Sequence, residues 1–406
     1  MAKFNLVTTS IPEIFSSKKN NLLLGNWCLY QEEKVFLERK NQQIVNYHRD
    51  NKEKKINDYY YLEKLYEKIL KNLITHLNKF HNVNKSERFW RIFIGPWVWY
   101  FIDAVFDRYE SLRLAFESFE IEETTIIEHN LSNLFPKSVE TIRNYIFDED
   151  YWTHDICSKI IKNFYKNKVK INIHNSDLTK NKIKEFIIKQ DTLKKKKNFF
   201  LNNLIPFKER QKYVFLSSFL GLKKELILNL KFKQIPFVNS LTLNKTFEVD
   251  NSIRKKIKLN FETRNDFEKF ILDLLTEQIP TTFLEGFKNL CDEVEKSNMP
   301  SKPKYIIGSV FLWYETLNML FAATKIENYK SKLIYIQHGS EYGTTKIDYA
   351  DKHEINVSDY FLTWGWNIND NKKVLPIGIV KPIASIKKID KKKNKKPKNI
   401  KIKSNT

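Results

Sequence analysis

Three short apolar runs in the last third of the chain constrain its fold more than any other feature. Residues 303–308 (PKYIIG), 333–337 (LIYIQ) and 360–363 (YFLT) read as strands. Residues 312–324, rich in Leu, Phe and Ala, read as a helix between the first two. A strand, a helix and a strand joined by a crossover of about 25 residues imply a parallel pair with a right-handed connection. That is half of a Rossmann-like sheet, and such sheets bind ligands beyond the carboxyl ends of their strands. The run Gln337-His338-Gly339-Ser340-Glu341-Tyr342-Gly343 falls at that position.

The chemistry of this run fits its place. His338 follows a buried strand, so its imidazole stands at the sheet edge, where it can bond a phosphate or hydroxyl or move a proton near neutral pH. Glu341 adds a carboxylate, and Gly339 and Gly343 let backbone approach a ligand. Residues 359–366 (DYFLTWGW) end a strand with Trp364 and Trp366 around Gly365, aromatic faces suited to sugar rings or bases. Glu285, at the start of a helix, is a further candidate base or ribose ligand. The alternative for each is structural: a turn histidine, packed tryptophans and a first-turn carboxylate.

The N-terminal half begins with strand-like runs at 3–8 and 22–24, the second followed by Gly25-Asn26-Trp27-Cys28. A long amphipathic helix is expected over 57–79, with Tyr47-His48-Arg49-Asp50 as its approach. Ser86 is positioned to cap a second helix, which Pro96 kinks or restarts within an aromatic run containing Trp97. Asp107 and Arg108 lie on that helix. Further helices are expected over 138–147, 150–165, 266–276 and 282–296. Trp152-Thr153-His154-Asp155 offers His154 as a candidate base and Asp155 as its orienter, although adjacent side chains on a helix diverge.

Composition sets the outer limits. The 406 residues exceed one ordinary core, and 42% hydrophobic content supports a well-buried globular chain. The net charge is +22, of which the ten lysines and one aspartate of 387–406 supply +9. That segment lacks apolar periodicity and reads as disordered. The remaining surplus suits a nucleotide-sugar or an acidic lipid surface, though a lysine-rich solvated surface is its default explanation. No nucleic-acid-binding pattern accompanies the charge, so no nucleic-acid partner is expected. Cys28, Cys157 and Cys291 are far apart, which argues against a thiolate metal site and fits a reducing cytoplasm. No apolar stretch reaches membrane-spanning length, so the expected location is the cytoplasm, peripheral at most at the inner face of the membrane. P-loop, GxGxxG, HExxH and GxSxG motifs are all missing.

Taken in order, Leu24–Cys28, His48-Arg49-Asp50, Gly95-Pro96-Trp97, Phe106–Tyr109, Trp152–Asp155, Gln337-His338-Gly339 with Tyr342-Gly343, and Leu362–Trp366 resemble the transferases of O-antigen and surface-carbohydrate gene clusters, a glycosyltransferase-B-like family. The resemblance spans roughly residues 3–382. It implies sugar transfer from a nucleotide-sugar to a glycan or lipid-linked acceptor. No DxD-type pair stands at a clear strand end, so no metal is expected, and no cofactor is expected beside the donor. It implies that His338, Gly339, Tyr342 and Gly343 line an inter-domain cleft, with Trp27, His48, Trp97, Asp107, Arg108, His154 and Asp155 on its N-terminal side. Ser340 stands where such loops often carry another glycine. Members of this family continue into a second α/β half after a linker like 375–382, so that half is expected to be missing or incomplete here.

The expected architecture is therefore α/β: a helix-rich α/β region at 1–205, a Rossmann-like region at 206–382 and a lysine-rich tail at 383–406. His338, Glu341 and His154 are the expected catalytic residues. Gln337, Gly339, Tyr342, Gly343, Trp27, His48, Trp97, Arg108, Asp155, Glu285 and Trp364 are the expected binding residues. The competing expectations are a non-catalytic remnant or half-enzyme that needs a separately encoded C-terminal half and, behind it, a basic nucleic-acid-binding protein.

Overall fold

The computed structural model describes residues 2–29, 42–128, 134–175, 211–235, 241–368 and 371–379. The lysine-rich stretch at 177–200 and the tail at 383–406 lie outside them. The chain separates into two compact units. The first takes the described parts of Met1–Lys208, Leu241–Ser301 and Phe311–Asn328, and the second those of Glu209–Ser240, Lys302–Val310 and Tyr329–Thr406.

The first unit is built on a five-stranded, wholly parallel sheet. Its strands are β1 (Lys3–Val7), β2 (Asn20–Leu23), β3 (Gln42–Ile44), β4 (Glu120–Glu128) and β5 (Lys170–Asn175), in the order β3-β2-β1-β4-β5. The order reverses between β1 and β4, the point at which doubly wound sheets open a ligand crevice. Phe4, Leu6, Val7, Leu22 and Leu23 form buried strand faces.

Two long helices connect β3 to β4: α1 (Lys52–His81) and α2 (Glu87–Ser118). Asn51 caps α1 by accepting from Lys54 N, and Ser86 caps α2 by accepting from Phe89 N. Pro96 lies inside α2, which begins at Glu87 rather than at the proline. Its aromatic stretch is core: Phe89, Trp90, Phe93, Trp97 and Phe101 are fully buried. Helices α3 (Val139–Asp148) and α4 (Asp150–Phe164) follow β4.

The second unit holds another parallel five-stranded sheet. Its strands β6 (Tyr213–Leu216), β7 (Tyr305–Gly308), β8 (Lys332–Ile336), β9 (Tyr360–Thr363) and β10 (Val374–Pro376) lie side by side in sequence order. Helix α5 (Leu222–Lys231) follows β6. Helices α6 (Asp266–Gln278) and α7 (Phe287–Lys296) belong to the first unit.

The described residues contain two parallel sheets, one in the region expected as helix-rich α/β and one in the region expected as Rossmann-like. Two expectations need correction. The parallel pairing of β7 with β8 is present, but the connecting helix is broken at Glu315 into a turn (Phe311–Tyr314) and α8 (Thr316–Tyr329). At the break Glu140 accepts from Thr316 N–H at 2.8 Å and from its hydroxyl at 2.5 Å, capping α8, and most of α8 groups with the first unit. The linker expected at 375–382 begins inside β10, which pairs with β9.

Candidate functional site

The carboxyl ends of β1, β2 and β3 carry a polar cluster. A cavity of about 550 Å³ opens there, lined by Gly25, Asn26, Trp27, Asn46, Tyr47, Asp50, Asp107 and Arg108 among others. Trp27 is pinned, since its indole N–H donates to Thr8 O at the end of β1, at 2.9 Å. The Arg108 guanidinium lies over the Trp27 ring, 4.7 Å from its centroid. A Cβ on Gly25 would stand 2.2 Å from that ring, so only glycine leaves room for it.

Asp107 anchors the floor. It accepts from Tyr47 Oη at 2.9 Å and His48 Nε2 at 3.1 Å, and it contacts the Arg108 guanidinium. His48 Nδ1 lies 3.6 Å from Asp58. Burial would raise the Asp107 carboxyl, but the His48 bond and the Arg108 and Arg49 guanidiniums outweigh it and hold it well below the usual range. Burial would likewise lower His48, but the two aspartates outweigh it and hold its pKa above the ordinary histidine value. Burial pushes the Tyr47 phenol up to about 12, with Asp107 adding to the effect. Arg108 Nε is buried without a hydrogen-bond partner among the described residues.

His154 spans the reversal point of the same sheet. Its Nδ1 lies 2.7 Å from Thr8 Oγ1 at the end of β1. Its Nε2 accepts the Ile127 N–H of β4 at 3.0 Å, which fixes that nitrogen as deprotonated. The ring is buried, and it clamps two strand ends together. Asp155 does not orient it; Asp155 pairs with Lys159, one turn along α4, at 2.9 Å.

In the second unit, the 337–343 run stands at the carboxyl end of β8, the middle strand of its sheet. Gln337 is a loop clamp. It donates to Gly339 O at 2.7 Å and accepts from Trp364 N–H at 2.8 Å and the Trp366 indole at 2.9 Å. Gly343 has φ +70°, and a Cβ there would stand 2.6 Å from Trp366. His338 is about one-fifth exposed, with Nδ1 3.6 Å from Glu354. Tyr342 Oη lies 3.1 Å from the His338 ring nitrogens and donates to Glu354 at 2.9 Å. Burial, with Glu354 adding to it, raises the Tyr342 phenol far above its ordinary value.

Sequence reasoning did not single out Glu354. It sits on α9 (Tyr349–Val357), which reads as polar loop because its apolar positions are sparse. The available signal was Asp348, whose side chain caps the helix by accepting from Ala350 N. Glu341, chosen as the carboxylate partner, is instead exposed on the turn.

The structure thus brings Trp27, His48, Asp107 and Arg108 together, with His154 adjacent through Thr8. It joins His338, Tyr342 and Glu354 in the other unit. Trp97 is buried between Phe101 and Phe283, with ring centroids 6.0 and 5.9 Å away, and lines no cavity described here. Glu285 forms a two-bond pair with Arg254, at 2.8 and 3.0 Å, and bonds Asp250 N–H at 3.1 Å, the pattern of a structural carboxylate.

No helix among the described residues is long and apolar enough to cross a membrane. Comparison with curated proteins and with solved structures finds no match. The sequence does match the model of the LIC12162 family transferase across residues 4–402. Nearly the whole chain is covered, and the protein belongs to the LIC12162 family of transferases.

Proposed function

We propose that this transferase moves a sugar from a nucleotide-activated donor to a hydroxyl of a glycan or lipid-linked acceptor, in the assembly of surface polysaccharide. The observation that carries the reading is the cavity at the ends of β1, β2 and β3. It offers an indole face, a phenol, two amides, two carboxylates and one guanidinium within about 550 Å³. Sugar rings use this mixture: their C–H faces stack on aromatics, and their hydroxyls bond carboxylates and amides in pairs. A purely anionic ligand would favour a more positive wall.

In the reaction, the acceptor oxygen attacks the anomeric carbon and the bond from that carbon to the phosphate oxygen breaks. The nucleotide leaves with the electron pair, and a general base takes the hydroxyl proton. Within the second unit, His338 has the geometry of a base, being partly exposed with a carboxylate 3.6 Å from Nδ1. His154 is a positioning residue, since its Nε2 is committed to a backbone N–H.

The test is calorimetric titration with UDP-, GDP-, CMP- and dTDP-sugars, followed by mass spectrometry of acceptor glycans incubated with each donor. At least one donor should bind, with Trp27→Ala and Arg108→Ala weakening sugar binding while far-UV circular dichroism is unchanged. His338→Asn should bind the donor normally and lose transfer. Binding of no donor by the folded wild-type chain refutes the reading.

A further inference from the structure

The segment from Phe219 to Ile235 carries apolar side chains that the other described residues leave exposed, although Phe232 stacks on Tyr213 and Phe219 lies edge-on to His338. Of the sixteen large hydrophobic residues exposed among the described residues, six fall in these seventeen positions: Phe219, Leu222, Ile227, Leu230, Phe232 and Ile235. Leu222 is 56% exposed and Leu230 65%, values typical of polar residues. Scattered exposed leucines carry no message, but a cluster of this kind marks a contact surface.

Helix α5 shows how the surface arises. Its inner face is satisfied: Leu228 packs against the cluster of Phe215, Ile307 and Ile336, and Glu225 accepts from Ser218 Oγ at 2.6 Å. Gln234 ties the end of the helix to β6, accepting from Tyr213 N–H at 3.0 Å and donating to Tyr213 O at 2.7 Å. The outer face is a second stripe, with Lys223, Ile227, Leu230 and Lys231 spaced as neighbours along one side of the helix. Lys224 and Lys233 lie beside it, and Glu225, turned inward, is the one carboxylate of the segment. The ends are held in shape by left-handed residues, Phe219 at φ +58° and Lys233 at φ +55°.

Charge decides what can sit on this face. A second copy of the chain docked face to face would set four lysines against four lysines. An anionic bilayer meets both halves of the pattern: aliphatic side chains enter the boundary between headgroups and acyl chains, and lysine stems carry their ammonium groups back to the phosphates. We propose that the 219–235 face docks this transferase onto an anionic membrane surface. The inference stands on this surface alone and does not depend on the sugar-transfer reading.

Co-sedimentation of the full chain with lipid vesicles tests it. One set is pure phosphatidylcholine, and the other contains about a third phosphatidylglycerol. The wild type should sediment with the anionic set and remain largely free of the neutral one. Ile227→Asn with Leu230→Asn removes apolar surface and leaves every charge in place. It should lower partitioning about tenfold, with an unchanged thermal midpoint. Lys223→Gln with Lys231→Gln should also weaken binding. Equal binding by the Ile227/Leu230 variant would overturn the proposal and assign any attraction to charge elsewhere, such as the lysines of 387–406. Absence of wild-type binding would overturn it too. So would light scattering that shows wild-type dimers dissolved by the Ile227/Leu230 substitutions, because the face would then be a self-association surface.

Discussion

Replacing Asp107 tests the organisation of the first unit's cavity most directly. Its side chain is 8% exposed, and it receives hydrogen bonds from Tyr47 at 2.9 Å and His48 at 3.1 Å beside its Arg108 contact. Asp107→Ala leaves two cationic groups buried without their main counter-charge. Removing one member of a buried ion pair costs about 3–5 kcal/mol. Asp58, 3.6 Å from His48 Nδ1, still compensates that ring, so the loss should fall at the lower end, about 3 kcal/mol. Asp107→Asn keeps the shape and one acceptor oxygen and should lose roughly half as much. The assay is urea unfolding followed by tryptophan fluorescence, to which Trp27 under Arg108 contributes, with circular dichroism as a second probe. The pH dependence follows from the two shifts. The lowered Asp107 pKa contributes stability that is present above about pH 4 and lost as pH falls through the folded-state value. The raised His48 pKa contributes stability that is full below about pH 6.5 and lost as pH rises through its folded-state value. The gap between wild type and Asp107→Asn should therefore be widest between those limits. A loss under about 1 kcal/mol for Asp107→Ala would refute the picture of a buried, mutually dependent cluster.

Gly343→Ala should destabilise by about 2–3 kcal/mol and shift the emission of Trp366, because it adds left-handed strain at φ +70° to a 2.6 Å approach to that ring; thermal unfolding with fluorescence detection reads both. Trp97 and Trp152 form a matched pair, since both are buried but, among the described residues, only Trp152 has an indole partner, Gln278 at 3.1 Å. Trp97→Phe should cost little, as the small cavity is offset by removal of an unpaired N–H. Trp152→Phe should cost about 1–2 kcal/mol more in the same denaturant titration. Burial, with Asp348 adding to it, pushes Asp351 up to about 6. A carboxyl raised in this way destabilises the folded state increasingly as pH climbs from about 4 to about 6. Asp351→Asn should therefore raise the thermal midpoint at pH 7 and lose that advantage near pH 4.

The elements that could be read from sequence were those whose pattern matched a single environment. β1, β7, β8 and β9 are short apolar runs, and α1 shows its period through Leu62, Leu65, Ile69, Leu73 and Leu77. β4 escaped notice although it lies next to the central strand. Its sequence, EIEETTIIE, spends four of nine positions on glutamate. The burial pattern explains how it remains a strand: Ile121, Thr124, Ile126 and Ile127 turn inward, while Glu122 and Glu123 reach Lys19 at 3.3 and 3.1 Å. The site was legible in the same uneven way. Trp27, His48, Asp107 and Arg108 follow strand ends or lie on a helix that returns to them. The partners of His338 and His154 depend on tertiary placement: Glu354 lies sixteen residues after His338, and Thr8 lies 146 residues before His154.

The histidines show why placement, rather than residue type, decides which of them can move a proton. His48 is held between two aspartates and retains its proton above the ordinary range, which suits a fixed positive charge and not a base. His154 has the opposite constraint: Nε2 already accepts a backbone N–H, so protonating that nitrogen would break the clamp between β1 and β4. His81 is driven down to about 4 by burial, and it bonds Phe283 O at 3.0 Å within the aromatic core. His338 differs from all three. Its ring is partly open to solvent, and its acidic neighbour lies on a separate helix, 3.6 Å from Nδ1, so neither ring nitrogen is locked to a backbone group as in His154. If transfer chemistry uses a histidine base in this chain, Glu354→Gln should lower the turnover rate and shift its pH profile while leaving donor affinity unchanged, and the same change beside His154, Asp155→Asn, should leave that profile where it is.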